Sequence, residues 1–195
     1  MQPEQFPEVL RLARAGDEAA FTQLFRDAQP VVLRYLASMA TADMIDDVAS
    51  DTWVSVIKSM DTFRDDDASG FRAWVLTIAR RRWVDEVRRR ARRRETPDSF
   101  ESASELPSPA SVEAEVQQRF GSDAAIALIR RLPADQAEVV TLRAIAGLSV
   151  DDVAKIVGKK PGTVRVLSHR GLRKLAELLG DGVTEILPDS IEEVT

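Results

Sequence analysis

A cluster of arginines near the middle of the chain is the group of side chains best suited to bind a polyanion. Nine arginines lie between Arg80 and Arg94 against two carboxylates, Asp85 and Glu86, so this stretch carries about +7 while the whole chain carries -5. Guanidinium groups match phosphate geometry, and phosphate contacts dominate affinity for nucleic acid. We therefore predict that the segment Phe71–Arg94 contacts nucleic acid.

Two tryptophans, Trp74 and Trp83, lie in the same segment. Aromatic side chains beside guanidinium groups suit stacked, single-stranded bases better than a rigid duplex. The alternative is that the tryptophans pack in a protein core and that the arginines form a solvated helix end. The sequence alone leaves both interpretations open.

Few residues offer any other chemistry. The chain has no cysteine and a single histidine, His169, which excludes disulfides and thiolate metal ligands and leaves little room for imidazole chemistry. We predict no enzyme activity, no cofactor and no metal site. An acidic cluster supports the alternative of a metal-dependent nuclease; it consists of Asp43, Asp46, Asp47 and Asp51. Carboxylates four residues apart on an ordinary helix are, however, more often solvated surface.

The chain shows no targeting or membrane signal. No run of about eighteen apolar residues exists, and the N-terminus lacks the basic start and apolar core of a signal peptide. The absence of cysteine also fits a reducing compartment. We expect a cytoplasmic protein with no membrane insertion.

Helical spacing of apolar residues runs through most of the chain, and strand signals are few, so the predicted fold class is all-α. The first helix is expected from Pro3 to Ala15, a second after the cap Asp17, and a third from Pro30 onward. Thr41 is expected to cap the next helix. These helices would form the scaffold that holds the arginine segment.

The arginine segment itself is predicted to be a helix with one buried face. Turn formers and charges in Asp61–Gly70 predict a loop, which the helix Phe71–Arg94 follows directly. Spacings of three and four predict the apolar face of this helix, which consists of Phe71, Trp74, Val75, Ile78 and Ala79.

The composition changes after Arg94, where Ser, Pro and Glu dominate and large apolar residues are few. Such a stretch is typical of a flexible linker. The predicted division is an N-terminal domain of residues 1–94, an acidic flexible linker of residues 95–115, a second domain of residues 116–180 and an acidic tail of residues 181–195. Within the second domain, a single helix is expected from Asp135 to Ala146.

The second domain carries the pattern of a helix-turn-helix. Ser149 is expected to cap a short helix, Gly158-Lys159-Lys160 to form the turn, and Pro161 to start a longer helix that runs to about Gly180. The expected core positions are Ala154, Ile156, Val157, Val164 and Leu167. Side chains predicted to face a duplex are Lys159, Lys160, Thr163, Arg165, His169, Arg170 and Arg173.

Four stretches, in this order, resemble the extracytoplasmic-function (ECF) sigma factors of the sigma-70 family. They are DEAAFTQLFRDAQPVVLRYL, DDVASDTW, FRAWVLTIAR followed by an aspartate and arginines, and LPADQAEVVTLRAIAGLSVDDVAKIVGKKPGTVR. The resemblance implies a sigma-2 bundle and a sigma-4 helix-turn-helix joined by the linker. The implied partners are core RNA polymerase, through its β′ clamp helices and β flap, and promoter DNA; such factors are commonly held by an anti-sigma factor.

The resemblance also assigns roles to residues. The polymerase-binding helix matches at Asp46, Asp47, Val48, Asp51, Thr52 and Trp53. The residues predicted to capture and melt the -10 element are Phe63, Arg64, Arg72, Trp74, Arg80, Arg81 and Arg82, of which Arg72, Trp74 and Arg80 match the family's helix. The residues predicted to bind the -35 element are Lys159, Lys160, Thr163, Arg165, Val166, His169, Arg170 and Arg173, of which Thr163, Arg165 and Arg170 fit the family pattern.

The chain departs from the family pattern in four places, one of which is His169 at an aromatic-type position. Ser50-Asp51 replaces the usual Gln-Glu, which keeps the charge, and Arg81 replaces a frequent asparagine that reads a base. Val166-Leu167 replaces a common Ser-Arg pair. The promoter sequence therefore does not follow from the resemblance. The alternative to a sigma factor is a helix-turn-helix regulator that acts without polymerase, but this alternative leaves Asp46–Trp53 unexplained.

Overall fold

The computed structural model describes residues 3–65, 67–95 and 123–179, and all regular structure in these residues is helical. This confirms the predicted all-α class. The α-helices are α1 Phe6–Arg14, α2 Glu18–Met39, α3 Ala42–Ser59, α4 Ala68–Glu95, α5 Asp123–Ile129, α6 Ala134–Val140, α7 Val150–Val157 and α8 Pro161–Leu179. The predicted flexible linker, beyond its first residue, and the acidic tail lie outside the described residues.

Two helical domains make up this architecture. Helices α1–α4 form the N-terminal domain, in which α2 packs against the other three helices and α4 also packs against α3. On α4 the predicted apolar face is buried at Phe71, Val75 and Ala79, with Trp74 and Ile78 half-buried beside them. Burying each large apolar side chain stabilises the fold by about 1.5–3 kcal/mol, so this face fixes α4 in the bundle.

The predicted helix starts follow from local hydrogen bonds. The Asp17 carboxylate accepts from the backbone N–H of Ala20, and the Ser149 hydroxyl accepts from the N–H of Asp152. Each satisfies an N–H group that has no partner within its helix. Thr41 occupies the cap position of α3, but its side chain makes no capping hydrogen bond.

Two predicted boundaries in the N-terminal domain were wrong. Pro30 does not start a helix but lies inside α2, exposed to solvent. Its missing N–H weakens the helix, but Ala28 and Val32 on either side remain buried, and one continuous apolar face outweighs that loss. The expected loop to Gly70 is also shorter, because the Asp67 carboxylate accepts from the N–H groups of Ser69 and Gly70 and starts α4 at Ala68.

The helix expected from Asp135 to Ala146 is divided. After α6 the chain forms a π turn over Thr141–Ile145, in which the N–H of Ala146 donates to the carbonyl of Thr141, five residues back. Such wider turns are often found at functional positions. The helix-turn-helix follows as predicted, with Gly158 in the left-handed conformation at the end of α7 (φ 68°) and Pro161 as the first residue of α8.

The two domains pack against each other, which the sequence did not predict. Helices α5 and α6 and the π turn contact α2, and α7 contacts α4. One cluster of buried apolar residues continues from Phe6 in the N-terminal domain to Val164 in the second. The C-terminal domain, α5–α8, therefore covers part of the bundle that carries the arginines.

A close approach at Gly171 provides a test of this packing. A Cβ atom at Gly171 would lie 2.6 Å from Val140 Cγ2, whereas a Cβ at Gly162, on the same helix, would meet no atom within 4 Å. We expect Gly171→Ala to lower the free energy of unfolding by about 1–2 kcal/mol, because overpacking outweighs the gain in helix propensity. Gly162→Ala should leave it unchanged or raise it by up to about 1 kcal/mol. Urea unfolding followed by circular dichroism measures both, and equal stability of the two variants would contradict the packing of α8 on α6.

Candidate polymerase and nucleic-acid interfaces

An open groove lies between α2 and α3. Its volume is about 590 Å³, and it is lined by Phe25, Gln29, Leu33, Asp46, Ala49, Ser50 and Trp53. The rings of Phe21 and Phe25 pack on Trp53, with centroids 6.1 and 4.7 Å away, and the Trp53 indole N–H donates to the Gln29 side-chain carbonyl. The groove therefore has a fixed aromatic wall with a carboxylate at its rim.

The residues predicted to bind polymerase divide into two groups on α3. Asp46, Asp47 and Asp51 are exposed. Val48, Thr52 and Trp53 are buried, and the Thr52 hydroxyl donates to the Val48 carbonyl. The acids thus form an exposed surface, and the buried residues hold the helix in place.

The loop before α4 is fixed by an aromatic cluster. Phe63 is buried, with its ring centroid 5.5 Å from Phe71 and 5.3 Å from Trp74. Phe6 of α1 contacts Phe71 from the other side at 5.7 Å, and the Arg14 guanidinium donates to the Phe63 carbonyl. Of the predicted -10 residues, Phe63 is thus a core residue, and Trp74 is half-buried against it.

The predicted -10 arginines do not share one face of α4. Arg72 pairs with Asp27 of α2 at 3.2 Å, and Arg82 donates to the Ser55 hydroxyl of α3 at 2.9 Å. Arg64 is exposed in the loop and donates to the Asp61 carbonyl. Arg80 and Arg81 instead line a cleft of about 300 Å³ between α4 and α7. Its lining residues are Thr77, Arg80, Arg81, Val84, Asp85, Arg88, Lys155 and Ile156.

Farther along α4, Glu86 holds two arginines. Its carboxylate accepts from Arg89 Nε at 2.6 Å and from Arg90 Nε at 2.7 Å, and Arg90 also pairs with Asp43 of α3. Hydrogen bonds from Arg90 and then Arg89 lower the pKa of the Glu86 carboxyl. The side chains of Thr41 and then Arg90 likewise lower the pKa of Asp43. Part of the positive charge on α4 is therefore neutralised within the protein.

The most buried ion pair at these surfaces was missed by the sequence analysis. Glu138 of α6 is 5% exposed, and its Oε1 accepts from the Tyr35 hydroxyl and from Arg80 Nε, both at 2.8 Å. Burial, and then the nearby Glu138 carboxylate, raise the pKa of Tyr35, so the phenol stays protonated and remains a donor. The hydrogen bond to Glu138 raises the pKa of Arg80. The one signal in the sequence is a glutamate inside an apolar run, AEVVTL.

The recognition helix α8 presents most of the predicted -35 residues to solvent. Val164 is fully buried and Leu167 packs beside it, which turns the opposite side outward. Exposed residues of the predicted set are Lys160, Thr163, Arg165, Val166, His169, Arg170 and Arg173. Lys159 is half-buried and pairs with Asp135 at 2.9 Å, so it is oriented by α6 instead.

Two further searches cover only residues 3–65, 67–95 and 123–179. No group of three or more His, Cys, Asp or Glu side chains in these ranges is placed to hold a metal ion. Within the same ranges, no helix has the length and hydropathy needed to span a membrane. The acidic cluster on α3 therefore does not form a metal centre in this structure.

The chain is similar to known proteins along most of its length. The model of sigma-70 region 2 matches residues 24–93, and the model of sigma-70 region 4 matches residues 122–175. The ECF RNA polymerase sigma factor BldN of Streptomyces coelicolor is 34% identical over 179 residues, which cover 89% of this chain and 66% of that protein. The ECF RNA polymerase sigma factor SigD of Mycobacterium tuberculosis is 32% identical over 186 residues, which cover 91% of this chain and 85% of SigD.

A solved structure supports the fold. The sigma factor RpoE of Bartonella quintana, in complex with the anti-sigma factor NepR, has a TM-score of 0.62 and 23% identity, covering 83% of this chain and 96% of RpoE. Such a likeness shows a shared helical architecture. Together with the two matching regions and the relatives above 30% identity, it leads to one conclusion. The chain belongs to the ECF group of the sigma-70 family, as an alternative sigma factor that directs transcription initiation and is not itself an enzyme.

Proposed function

We propose that this chain binds core RNA polymerase through α3, captures the melted -10 strand along α4 and reads the -35 element with α8. The observation that carries the proposal is the separation of three surfaces. An acidic rim lies over the apolar groove between α2 and α3, arginines extend along α4, and cationic and polar residues cover the exposed side of α8. A regulator that acts without polymerase would need only the last of these surfaces.

The groove between α2 and α3 suits a helical partner with a basic surface. Its floor is apolar, and Asp47 and Asp51, four residues apart on α3, extend the acidic rim beyond the groove. Burial of apolar surface supplies affinity, and complementary charge orients the partner. We propose the β′ clamp helices of the polymerase as this partner and the β flap as the partner of the C-terminal domain.

The arrangement on α4 supports strand capture at the -10 element. Arg81 and Arg88 line the α4 side of one cleft, and such cations can bind the phosphates of a single strand. The buried aromatic cluster of Phe63, Phe71 and Trp74 fixes the loop at the start of α4. Melting costs a few kcal/mol per unstacked base, which these contacts would offset.

The proposal extends to location and regulation. Because core polymerase is cytoplasmic, the chain would act in the cytoplasm. The structural neighbour RpoE was solved in complex with an anti-sigma factor, and we propose that an anti-sigma factor also holds this chain.

The direct test adds the purified full chain to core RNA polymerase of its host, with DNA from upstream of its own gene as template. We expect a transcript that starts at a defined position only when the chain is present. A chain that binds this DNA as a duplex without polymerase, and yields no transcript from any candidate template, would contradict the proposal.

The acidic rim gives the first mutational prediction. We expect Asp47→Asn to weaken binding to core polymerase by about three- to ten-fold, because exposed charges at an interface mainly steer and orient the partner. Asp151→Asn is the matched control, since it removes the same charge from an exposed position on α7. Fluorescence anisotropy of the labelled chain measures both, and an equal effect of the two substitutions would refute the assignment of α3.

The arginines of α4 give the second prediction. We expect Arg82→Ala to lower the yield of permanganate-reactive open complex by about three- to ten-fold at moderate salt, and to reduce the salt slope by about one. Arg130→Ala removes an exposed arginine at the end of α5 and should have no effect. Arg82 is a cleaner variant than Arg80, whose removal also leaves Glu138 without its cation. Unchanged melting by Arg82→Ala would show that this part of α4 has no role at the -10 element.

The ion pairs of Glu86 give the third prediction. Because its pKa is lowered, Glu86 is ionised at neutral pH, and its ion pairs are lost only as the pH falls through the lowered value. Glu86→Gln at pH 7 should release Arg89, leave Arg90 paired with Asp43 alone, and raise affinity for nonspecific DNA about two- to five-fold, with a steeper salt dependence.

The control for this third variant is Glu18→Gln. It changes the net charge equally at an exposed position on α2, and should raise the affinity by less than about two-fold. A salt titration of binding to a labelled duplex distinguishes the two variants. Identical curves would mean that only net charge matters and that the Glu86 ion pairs do not restrain the arginines.

A further inference from the structure

The contact between the two domains is rich in polar groups. The buried polar or charged side chains of the described residues are Ser38, Thr52, Glu138 and Thr141, and all but Thr52 lie in this contact. The Thr141 hydroxyl donates to Ser38 Oγ at 3.0 Å, and Glu138 accepts from Tyr35 and Arg80. Each pair joins one domain to the other. Because water can take the place of these partners, such a contact separates more readily than a purely apolar one.

Charge makes Glu138 the strongest element of this contact. Both of its partners, Tyr35 and Arg80, belong to the N-terminal domain. Removing one partner from a buried ion pair leaves an uncompensated charge, which strongly disfavours the altered state. The carboxylate is therefore stable either when the domains are closed and both partners are present, or when they are apart and it is solvated.

The Arg80 guanidinium, which pairs with Glu138, is a group that a DNA phosphate would also bind. Arg80 donates to both carboxylate oxygens, at 2.8 and 3.4 Å, and a phosphate presents a guanidinium with an equivalent pair of anionic oxygens. Helix α7 covers the same part of α4, with Lys155 and Ile156 beside Arg81. Glu138 and a -10 strand phosphate would thus compete for Arg80.

Closure does not cover the other two surfaces. Asp47 and Asp51 on α3 are exposed, as are Arg165 and Arg170 on α8. Among the predicted -10 arginines of the described residues, the contact between the domains occupies Arg80, whereas Arg64, Arg81 and Arg82 stay exposed. The 27 residues between the described parts, 96–122, could span at most roughly 90 Å if fully extended, so the connection allows the domains to separate.

We propose that Glu138 is a latch that holds the two domains closed and keeps Arg80 of α4 from the -10 strand. The latch opens when Arg80 exchanges the Glu138 carboxylate for strand phosphate. Duplex binding by α8 and polymerase binding by α3 precede this step, because their surfaces are exposed in the closed state. The exchange rests on the proposed -10 role of Arg80, whereas the closure itself does not and can be measured without DNA.

The first experiment measures closure alone. The chain has no cysteine, so Thr141→Cys places a single thiol in the domain contact, where position 141 is 0% exposed. Such a thiol reacts with Ellman's reagent in proportion to the open population when closing is fast. We expect Glu138→Gln to speed this reaction about ten-fold or more. The substitution removes charge-assisted hydrogen bonds that exist only in the closed state, so it destabilises the closed state and leaves the open state unchanged.

Two controls make this result specific. Glu8→Gln removes a carboxylate from an exposed ion pair with Arg11 on α1 and should leave the rate unchanged. A thiol placed by Thr52→Cys lies in the interior of the N-terminal domain, also 0% exposed, and its rate should not respond to Glu138→Gln. If Glu138→Gln has no more effect than Glu8→Gln, or if it accelerates both thiols equally, the latch is refuted.

The second experiment locks the closed state. In Ser38→Cys/Thr141→Cys the two sulfur atoms replace oxygens 3.0 Å apart, so the two thiols lie in contact and oxidation can join them. With core polymerase and upstream DNA, the oxidised chain should give a yield of open complex more than about ten-fold below that of the reduced chain, because the disulfide removes the open, competent state. Its affinity for duplex DNA through α8 should stay within about two-fold. Reduction should restore melting.

The outcomes separate the latch from the proposed function. Melting by the oxidised chain at the level of the reduced chain overturns the latch, and loss of duplex binding overturns its selectivity for Arg80. If neither wild type nor the reduced variant melts DNA, the proposed -10 function has failed, and the thiol rates still decide whether Glu138 closes the domains.

Discussion

A carboxylate removed from water must have its charge compensated by its surroundings, and Glu138 imposes this requirement on the whole molecule. At 5% exposure it needs both the Tyr35 hydroxyl and the Arg80 guanidinium, and these come from two different helices of the other domain. The position of α6 on the bundle is therefore set by hydrogen-bond geometry as well as by apolar contact. A purely apolar contact would tolerate sliding, whereas a two-partner carboxylate fixes one register.

Helix α2 makes this arrangement possible because it continues through Pro30. Gln29 and Leu33 line the groove toward α3, while Tyr35 and Ser38 face the C-terminal domain. One helix thus carries part of the groove toward α3 and part of the domain contact. Asp27, about one turn before Pro30 on the same helix, also orients Arg72 of α4. Interactions at the groove and at the domain contact are consequently linked through a single helix rather than through separate elements.

The features that the sequence predicted are those set by neighbours along the chain. Apolar spacing gave the buried face of α4, and the caps Asp17 and Ser149 gave helix starts, because each depends on residues within one or two turns. The continuation of α2 depended on the burial of Ala28 and Val32 against other helices, which spacing around a proline does not reveal.

The sequence indicated which residues belong to the candidate surfaces but not which side chains pair with one another. The resemblance to sigma factors assigns residues to three surfaces, but Arg80 and Glu138 are 58 residues apart, and no local pattern relates them. The same holds for Phe63, whose ring turned out to be enclosed by Phe71, Trp74 and their neighbours rather than by solvent. Side-chain partners across domains follow from tertiary packing, which a single sequence constrains only weakly.

Helix α1 lies ahead of the segment that matches sigma-70 region 2, which begins at residue 24, yet it supports the part of that region nearest the DNA surface. Phe6 packs on Phe71, and Arg14 holds the carbonyl groups of Met60 and Phe63. The folded unit that holds the loop before α4 is thus larger than the segment that the region 2 model matches. A fragment trimmed to that segment would expose one side of the aromatic cluster and leave the Phe63 carbonyl without the Arg14 donor.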